Sequence, residues 1–133
     1  MNKNSKAILR DRVNQRNALL VPGAFNALSA RMIADLGFEA LYLSGAGLTN
    51  MYFGLPDLAF ISLRDVVEHT AAIRDAVEIP LIVDIDTGFG GAFNIARTVK
   101  SMIKMEGFLF ITQSLHYKRM KDLILSKYTV TMQ

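Results

Sequence analysis

The chain of 133 residues contains no cysteine and only two histidines, His69 and His116. Without thiols, disulfides, thiolate metal sites and a cysteine nucleophile are all excluded. Neither histidine has a partner at ligand spacing, which points to solvated or packing roles. No apolar run approaches the roughly 20 residues needed to span a bilayer. Met1 to Gln15 is polar and charged, with no apolar stretch behind it, unlike a signal peptide. The expectation is a cytoplasmic protein with no membrane partner. No basic stripe with interleaved aromatics is present, so no nucleic-acid partner is expected either. The formal charge is only +3, and residues 105–133 hold much of the excess, with 4 Lys+Arg against 2 Asp+Glu. The Gly88–Gly91 cluster lacks the spacing of a dinucleotide fingerprint. Ser44 has no evident base, which removes support for a hydrolase triad.

What is present is a folding pattern. A hydrophobic content of 51% argues against disorder, and the length suits a single domain. Short apolar runs alternate with amphipathic segments. Ser5 to Arg16 places Ile8, Leu9 and Val13 at helical spacing. Ala18 to Val21 reads as a first strand, closed by Pro22 and Gly23. Asn26 is placed to cap a helix to about Leu36, with Leu28, Met32, Ile33 and Leu36 inward and Gly37 as its stop. Glu39 to Leu43 reads as a second strand, followed by a small-residue turn from Ser44 to Gly47 and a long loop. Ser62 caps a helix over Leu63 to Ala76, with Val66, Val67, Ile73 and Val77 near its buried side. Leu81 to Asp86 is the third strand, Ala92 to Lys104 the next helix with Phe93, Ile95, Val99 and Met102 as apolar surface, and 108–112 a fourth strand. Repeated βα punctuation of this kind implies a parallel sheet with crossover helices.

In such folds the carboxyl ends of the strands build the site. The third strand delivers Asp84 and Asp86, two apart and so on one face of a strand. Two carboxylates there repel each other and lose hydration unless neutralised. A divalent cation does this, Mg²⁺ favouring one or two carboxylates with water and substrate completing its shell. Backbone donors and water are the other way to satisfy the pair. The second strand delivers Tyr42, Ser44, Gly45 and Ala46, and the loop after it Asp57. Small residues from Ser44 to Gly47 let backbone N–H groups approach a carboxylate or phosphate, or serve only a tight turn.

The blocks Tyr42-Leu43-Ser44-Gly45, Gly54-Leu55-Pro56-Asp57, Val83-Asp84-Ile85-Asp86-Thr87-Gly88-Phe89-Gly90 and Asn94-Ile95-Ala96-Arg97-Thr98 resemble the isocitrate lyase/phosphoenolpyruvate mutase superfamily. The Gly-Leu-Pro-Asp and Asp-Ile-Asp-Thr-Gly-Phe-Gly blocks are most similar to its 2-methylisocitrate lyase branch. The resemblance covers about residues 15 to 104. It implies a (β/α)₈ barrel, usually a homo-oligomer (a tetramer), with Mg²⁺ as cofactor and Mn²⁺ as its substitute. The implied substrate is a small di- or tricarboxylate, and the implied reaction is cleavage of 2-methylisocitrate to pyruvate and succinate in the methylcitrate cycle of propionate catabolism. By position, Tyr42, Ser44, Gly45 and Ala46 would contact substrate, Asp84 and Asp86 would bind Mg²⁺, and Asp57 would support its water shell. Ala46 stands where relatives commonly have Gly, but a backbone contact survives that change.

The resemblance stops near Met105. Relatives continue with a strand ending in a Glu-Asp pair and a loop holding a proton-donating Cys. This chain reads Phe108-Leu109-Phe110-Ile111-Thr112-Gln113-Ser114 and has no Cys, so no catalytic residue is assigned. A basic amphipathic helix with Leu115, Met120, Leu123, Ile124 and Leu125 is the expectation for the tail. A (β/α)₈ barrel takes about 250 residues, so the reading is a single partial barrel domain, family-like over 1–104 and divergent over 105–133. Two further readings remain open: a non-catalytic fragment with residual metal or carboxylate binding, and a phosphoenolpyruvate mutase-like enzyme.

Overall fold

The computed structural model describes residues 5–15, 18–104 and 108–111. In chain order these form α1 (Ser5–Asn14), β1 (Gly23–Ala24), α2 (Ala27–Asp35), β2 (Leu41–Leu43), α3 (Gly45–Tyr52), α4 (Leu63–Ala76), β3 (Leu81–Asp84), α5 (Ala92–Ile103) and β4 (Phe108–Ile111). The four strands lie side by side in the order β1-β2-β3-β4, all parallel. Register places Gly23 beside Tyr42, Tyr42 beside Ile82 and Ile82 beside Leu109.

Alternation along the strands separates the two faces of this sheet. Leu41, Leu43, Leu81 and Val83 are all but sealed from solvent. They share one core cluster with Ala30 and Ile33 of α2, Val66 and Ile73 of α4, and Ile95, Val99 and Met102 of α5. Tyr42, Ile82 and Asp84 point the other way and are half-buried. Each sealed Leu or Val is worth about 1.5–3 kcal/mol over an exposed one, which fixes the face that takes the helices. The architecture is therefore α/β, an unclosed parallel sheet flanked by helices, as in the first half of a (β/α)₈ barrel.

Helix α4 shows why these segments form where they do. Ser62 accepts from the Asp65 amide while Asp65 accepts from Ser62, a reciprocal capping box. Hydrogen bonds donated by the Ser62 hydroxyl and then by the Ser62 amide hold the Asp65 carboxyl below its ordinary pKa. Val66, Thr70 and Ile73 then recur on the buried face. At the far end Arg74 donates to the Ile79 carbonyl at 2.9 Å, closing the turn into β3. Helix α2 starts at Asn26, also through a capping box, and stops at Gly37, whose φ of 84° suits glycine.

Four expectations need correction. The first strand is not Ala18–Val21; the ladder begins where the Pro22 carbonyl accepts from Tyr42 N–H and continues through Gly23 and Ala24. Of the four residues expected inward on α2, only Ile33 is buried, whereas Leu28, Met32 and Leu36 are 58–74% exposed. Two apolar stripes run along this helix, and periodicity alone cannot say which meets the sheet; the small Ala30 permits the closer approach. Phe93 on α5 is likewise exposed. The small-residue turn after β2 is a helix, α3, with Ser44 as its N-cap. The fourth strand is observed over Phe108–Ile111, and Gln113, His116 and the expected tail helix lie outside the described residues. No helix among the described residues is long and apolar enough to cross a membrane.

Candidate functional site

Strand β3 ends at Asp84, and the chain then turns sharply. Asp86, Gly88, Phe89 and Gly90 all have positive φ, at 44°, 92°, 60° and 135°. For a non-glycine residue this conformation costs roughly 1–2 kcal/mol, so the turn must be held by its surroundings. The Gly88 amide donates to the Ile85 carbonyl at 2.8 Å, and the Asp86 amide donates to Asp84 Oδ1 at 2.9 Å. Asp84 and Asp86 thus reach the same rim, through a turn rather than through the strand alternation expected for them.

The opposite oxygen of Asp84, Oδ2, accepts from the Tyr42 hydroxyl at 2.8 Å. Tyr42 lies level with Ile82 on the neighbouring strand, so its phenol spans the diagonal to reach Asp84 two residues on. Burial, this bond and the charges of Asp84 and Asp86 push the Tyr42 hydroxyl well above its ordinary pKa of 10.0.

Asp86 leans over the start of α3. A Cβ placed on Gly45 would lie 3.5 Å from Asp86 Oδ2 and 3.2 Å from Ile61 Cδ1, so the carboxylate sits against a bare backbone. The Gly47 amide reaches the Ser44 hydroxyl at 3.4 Å. The Gly45 and Ala46 amides, first and second in the helix, have no intrahelical acceptor. Burial pushes the Asp86 carboxyl above its ordinary value, and the charges of Asp84 and Asp57 push it further the same way. A cavity of about 950 Å³ opens beside it, its lining including Asp57, Asp86, Thr87, Arg64 of α4 and Arg97 of α5.

This donor set suits a small hard cation. Burial and the neighbouring carboxylates raise the proton affinity of Asp86, a strain that a divalent ion relieves, and Mg²⁺ accepts a pair of carboxylates when water or substrate oxygens fill its remaining positions. Among the described residues no three acidic or histidine side chains come together as a complete protein cage. The structure gathers Tyr42, Ser44, Gly45, Ala46, Asp84 and Asp86 at one rim, with the exposed Asp57 near enough to act on Asp86. His69 is elsewhere, edge-on to Tyr52 with ring centres 4.4 Å apart.

The sequence reading missed two things. One is the Tyr42–Asp84 bond, for which no local signal exists. The other is the role of α5, whose Thr98 donates to the Gly88 carbonyl at 2.9 Å in a fully buried contact.

Comparison with known proteins finds relatives in both sequence and structure. The chain is 49% identical over 92 residues to 2-methylisocitrate lyase of Vibrio cholerae, covering 69% of this chain and 30% of that protein. It is 37% identical over 101 residues to 2,3-dimethylmalate lyase of Eubacterium barkeri, covering 76% and 35%. The chain thus spans about a third of the length of these curated relatives. In structure it is similar to phosphonopyruvate hydrolase in complex with oxalate and Mg²⁺, with a TM-score of 0.74 and 32% identity over 84% of this chain and 38% of that one. The sequence profile of phosphoenolpyruvate phosphomutase matches residues 9–108. The chain belongs to this family, within the phosphoenolpyruvate mutase/isocitrate lyase superfamily.

Proposed function

We propose that this chain carries the cation-binding part of a carbon–carbon lyase of the 2-methylisocitrate lyase type, which cleaves 2-methylisocitrate to pyruvate and succinate. The observation that carries this reading is the convergence of Asp84, Asp86 and the amino terminus of α3, carboxylates and backbone amides on one rim. Asp84 and Asp86 would hold Mg²⁺ or Mn²⁺, with Asp57 ordering water around it. The bound cation would supply positive charge to the hydroxyl and carboxylate of the substrate portion that becomes pyruvate.

The chain's own residues have defined tasks in this scheme. Gly45 and Ala46 would donate backbone hydrogen bonds to the carboxylate, with the Ser44 hydroxyl beside them. Tyr42 would keep Asp84 oriented and its lone pairs directed. Cleavage next to the substrate hydroxyl leaves a carbanion on the succinate portion, and a general acid must protonate it. The 133 residues include no cysteine to do so. General acid catalysis is commonly worth about 10²–10⁴-fold, so the chain by itself is expected to bind and not to turn over, which is the non-catalytic behaviour weighed above. Gly54-Leu55-Pro56-Asp57 favours the lyase over phosphonate chemistry.

The test is calorimetry with Mn²⁺, then with pyruvate and succinate in the presence of Mn²⁺, alongside a pyruvate-release assay on protein free of host lyase. Weak Mn²⁺ binding, with product binding that requires it, is expected. Product binding indifferent to Mn²⁺ would remove the reading, and turnover within tenfold of an intact relative would remove its non-catalytic part.

A further inference from the structure

The turn that presents Asp86 is shaped by α5 as much as by its own sequence. Thr98 is sealed from solvent, and its hydroxyl donates to the Gly88 carbonyl at 2.9 Å. One turn earlier, Ile95 presses on the same glycine: a Cβ built on Gly88 would come within 2.6 Å of Ile95 Cγ1. A further residue back, the Asn94 side chain fills the space above Gly90, where a Cβ would collide with its amide. Residues 94, 95 and 98 therefore form a template against which the left-handed residues Asp86, Gly88, Phe89 and Gly90 are cast. The helix in turn has no side-chain hydrogen bond at its N-cap, Gly91. Its start is set by the turn, and the turn's shape by its second coil, so each orders the other.

We propose that Thr98 is a positioning residue for Asp86: through the Gly88 carbonyl it holds the turn in the form that lays the Asp86 carboxylate against the amino terminus of α3. Without the hydroxyl, the buried Gly88 carbonyl loses its partner, and a positive φ at Asp86 relaxes readily because only the surroundings impose it. The consequence for function rests on the reading of Asp86 as a cation-binding carboxylate. The consequence for the turn does not.

Three variants separate these consequences. Thr98→Val keeps the shape and removes the hydroxyl, Thr98→Ser keeps the hydroxyl, and Thr98→Ala is the alternative should valine fail to fold. Amide exchange of Gly88 followed by NMR reports the turn without any metal, Val83 serving as the core reference. Mn²⁺ titration followed by paramagnetic resonance reports the site. In Thr98→Val or Thr98→Ala, Gly88 exchange should quicken by about tenfold relative to Val83, and Mn²⁺ affinity should fall by about tenfold, the size of one net hydrogen bond. Thr98→Ser should restore both to within about twofold, a rescue that loss of packing at this position would not show. Unchanged Gly88 exchange in the hydroxyl-free variants overturns the positioning role. If exchange responds but the parent chain binds no Mn²⁺, the positioning stands and the cation reading of Asp86 is overturned.

Discussion

The Tyr42 hydroxyl donates to Asp84 Oδ2 at 2.8 Å, bridging β2 and β3 on the face of the sheet turned away from the helices. With Asp84 Oδ1 accepting from the Asp86 amide, both oxygens of this carboxylate are engaged within the protein. Asp84 is therefore a fixed group around which the rest of the rim is built.

Tyr42→Phe removes one hydrogen bond to a half-buried carboxylate. The expected loss is about 1 kcal/mol in urea unfolding, as solvent at Asp84 recovers part of the bond. The Tyr42 hydroxyl titrates above 10.0 in the parent. The stability tied to this raised pKa is fully present below that value and lost as pH rises through the folded one, so the unfolding gap between parent and variant should narrow on the alkaline side. An unchanged gap would show that the bond does not form in solution.

Asp86→Asn removes a carboxylate whose pKa is raised by burial and by Asp84 and Asp57. A raised folded pKa means that the native state binds more protons, so stability falls as pH rises from the ordinary 3.8 through the folded value. Without added metal the variant should melt higher than the parent at neutral pH, by no more than about 4 °C, and the difference should vanish below pH 3.8. Asparagine also accepts the left-handed backbone well. A lower melting temperature at neutral pH would overturn the raised pKa of Asp86.

Two glycines with similar φ test whether packing or strain dominates. Gly37 has a φ of 84° and open space where a Cβ would go, while Gly88 has a φ of 92° and Ile95 Cγ1 at 2.6 Å. Gly37→Ala is expected to cost roughly 1–2 kcal/mol from backbone strain. Gly88→Ala should cost roughly 1–3 kcal/mol more from overpacking. Equal costs in denaturant unfolding would show that α5 yields at this contact.

Asp86→Ala should abolish Mn²⁺ binding in calorimetry, because one remaining carboxylate is a poor site in water. Asp57→Ala should weaken it by a smaller factor, since Asp57 lies in an exposed loop and acts through solvent. Identical affinity in Asp86→Ala and the parent would dismiss the assignment of Asp86 as a ligand.

The order of the strands and of the helices other than α3, and the caps at Asn26, Ser62 and Gly37, were legible in the sequence alone. These are local matters: a capping box needs residues three apart, and an apolar run after Pro80 can satisfy its backbone only within a sheet. Which of two apolar stripes on α2 meets the core was decided by the tertiary structure, because only the partner surface distinguishes Ala30 and Ile33 from Leu28, Met32 and Leu36. The start of β1 at Gly23 was decided in the same way, by the reach of Tyr42 N–H to the Pro22 carbonyl. So was the form of the site. Asp84 and Asp86 share a rim because Thr98, ten residues beyond Gly88, holds a left-handed turn in place, and because Tyr42, on another strand, ties down the first carboxylate. Hydrogen bonds that close over such separations leave no period in the chain to read; their partners are set by the packing of whole elements.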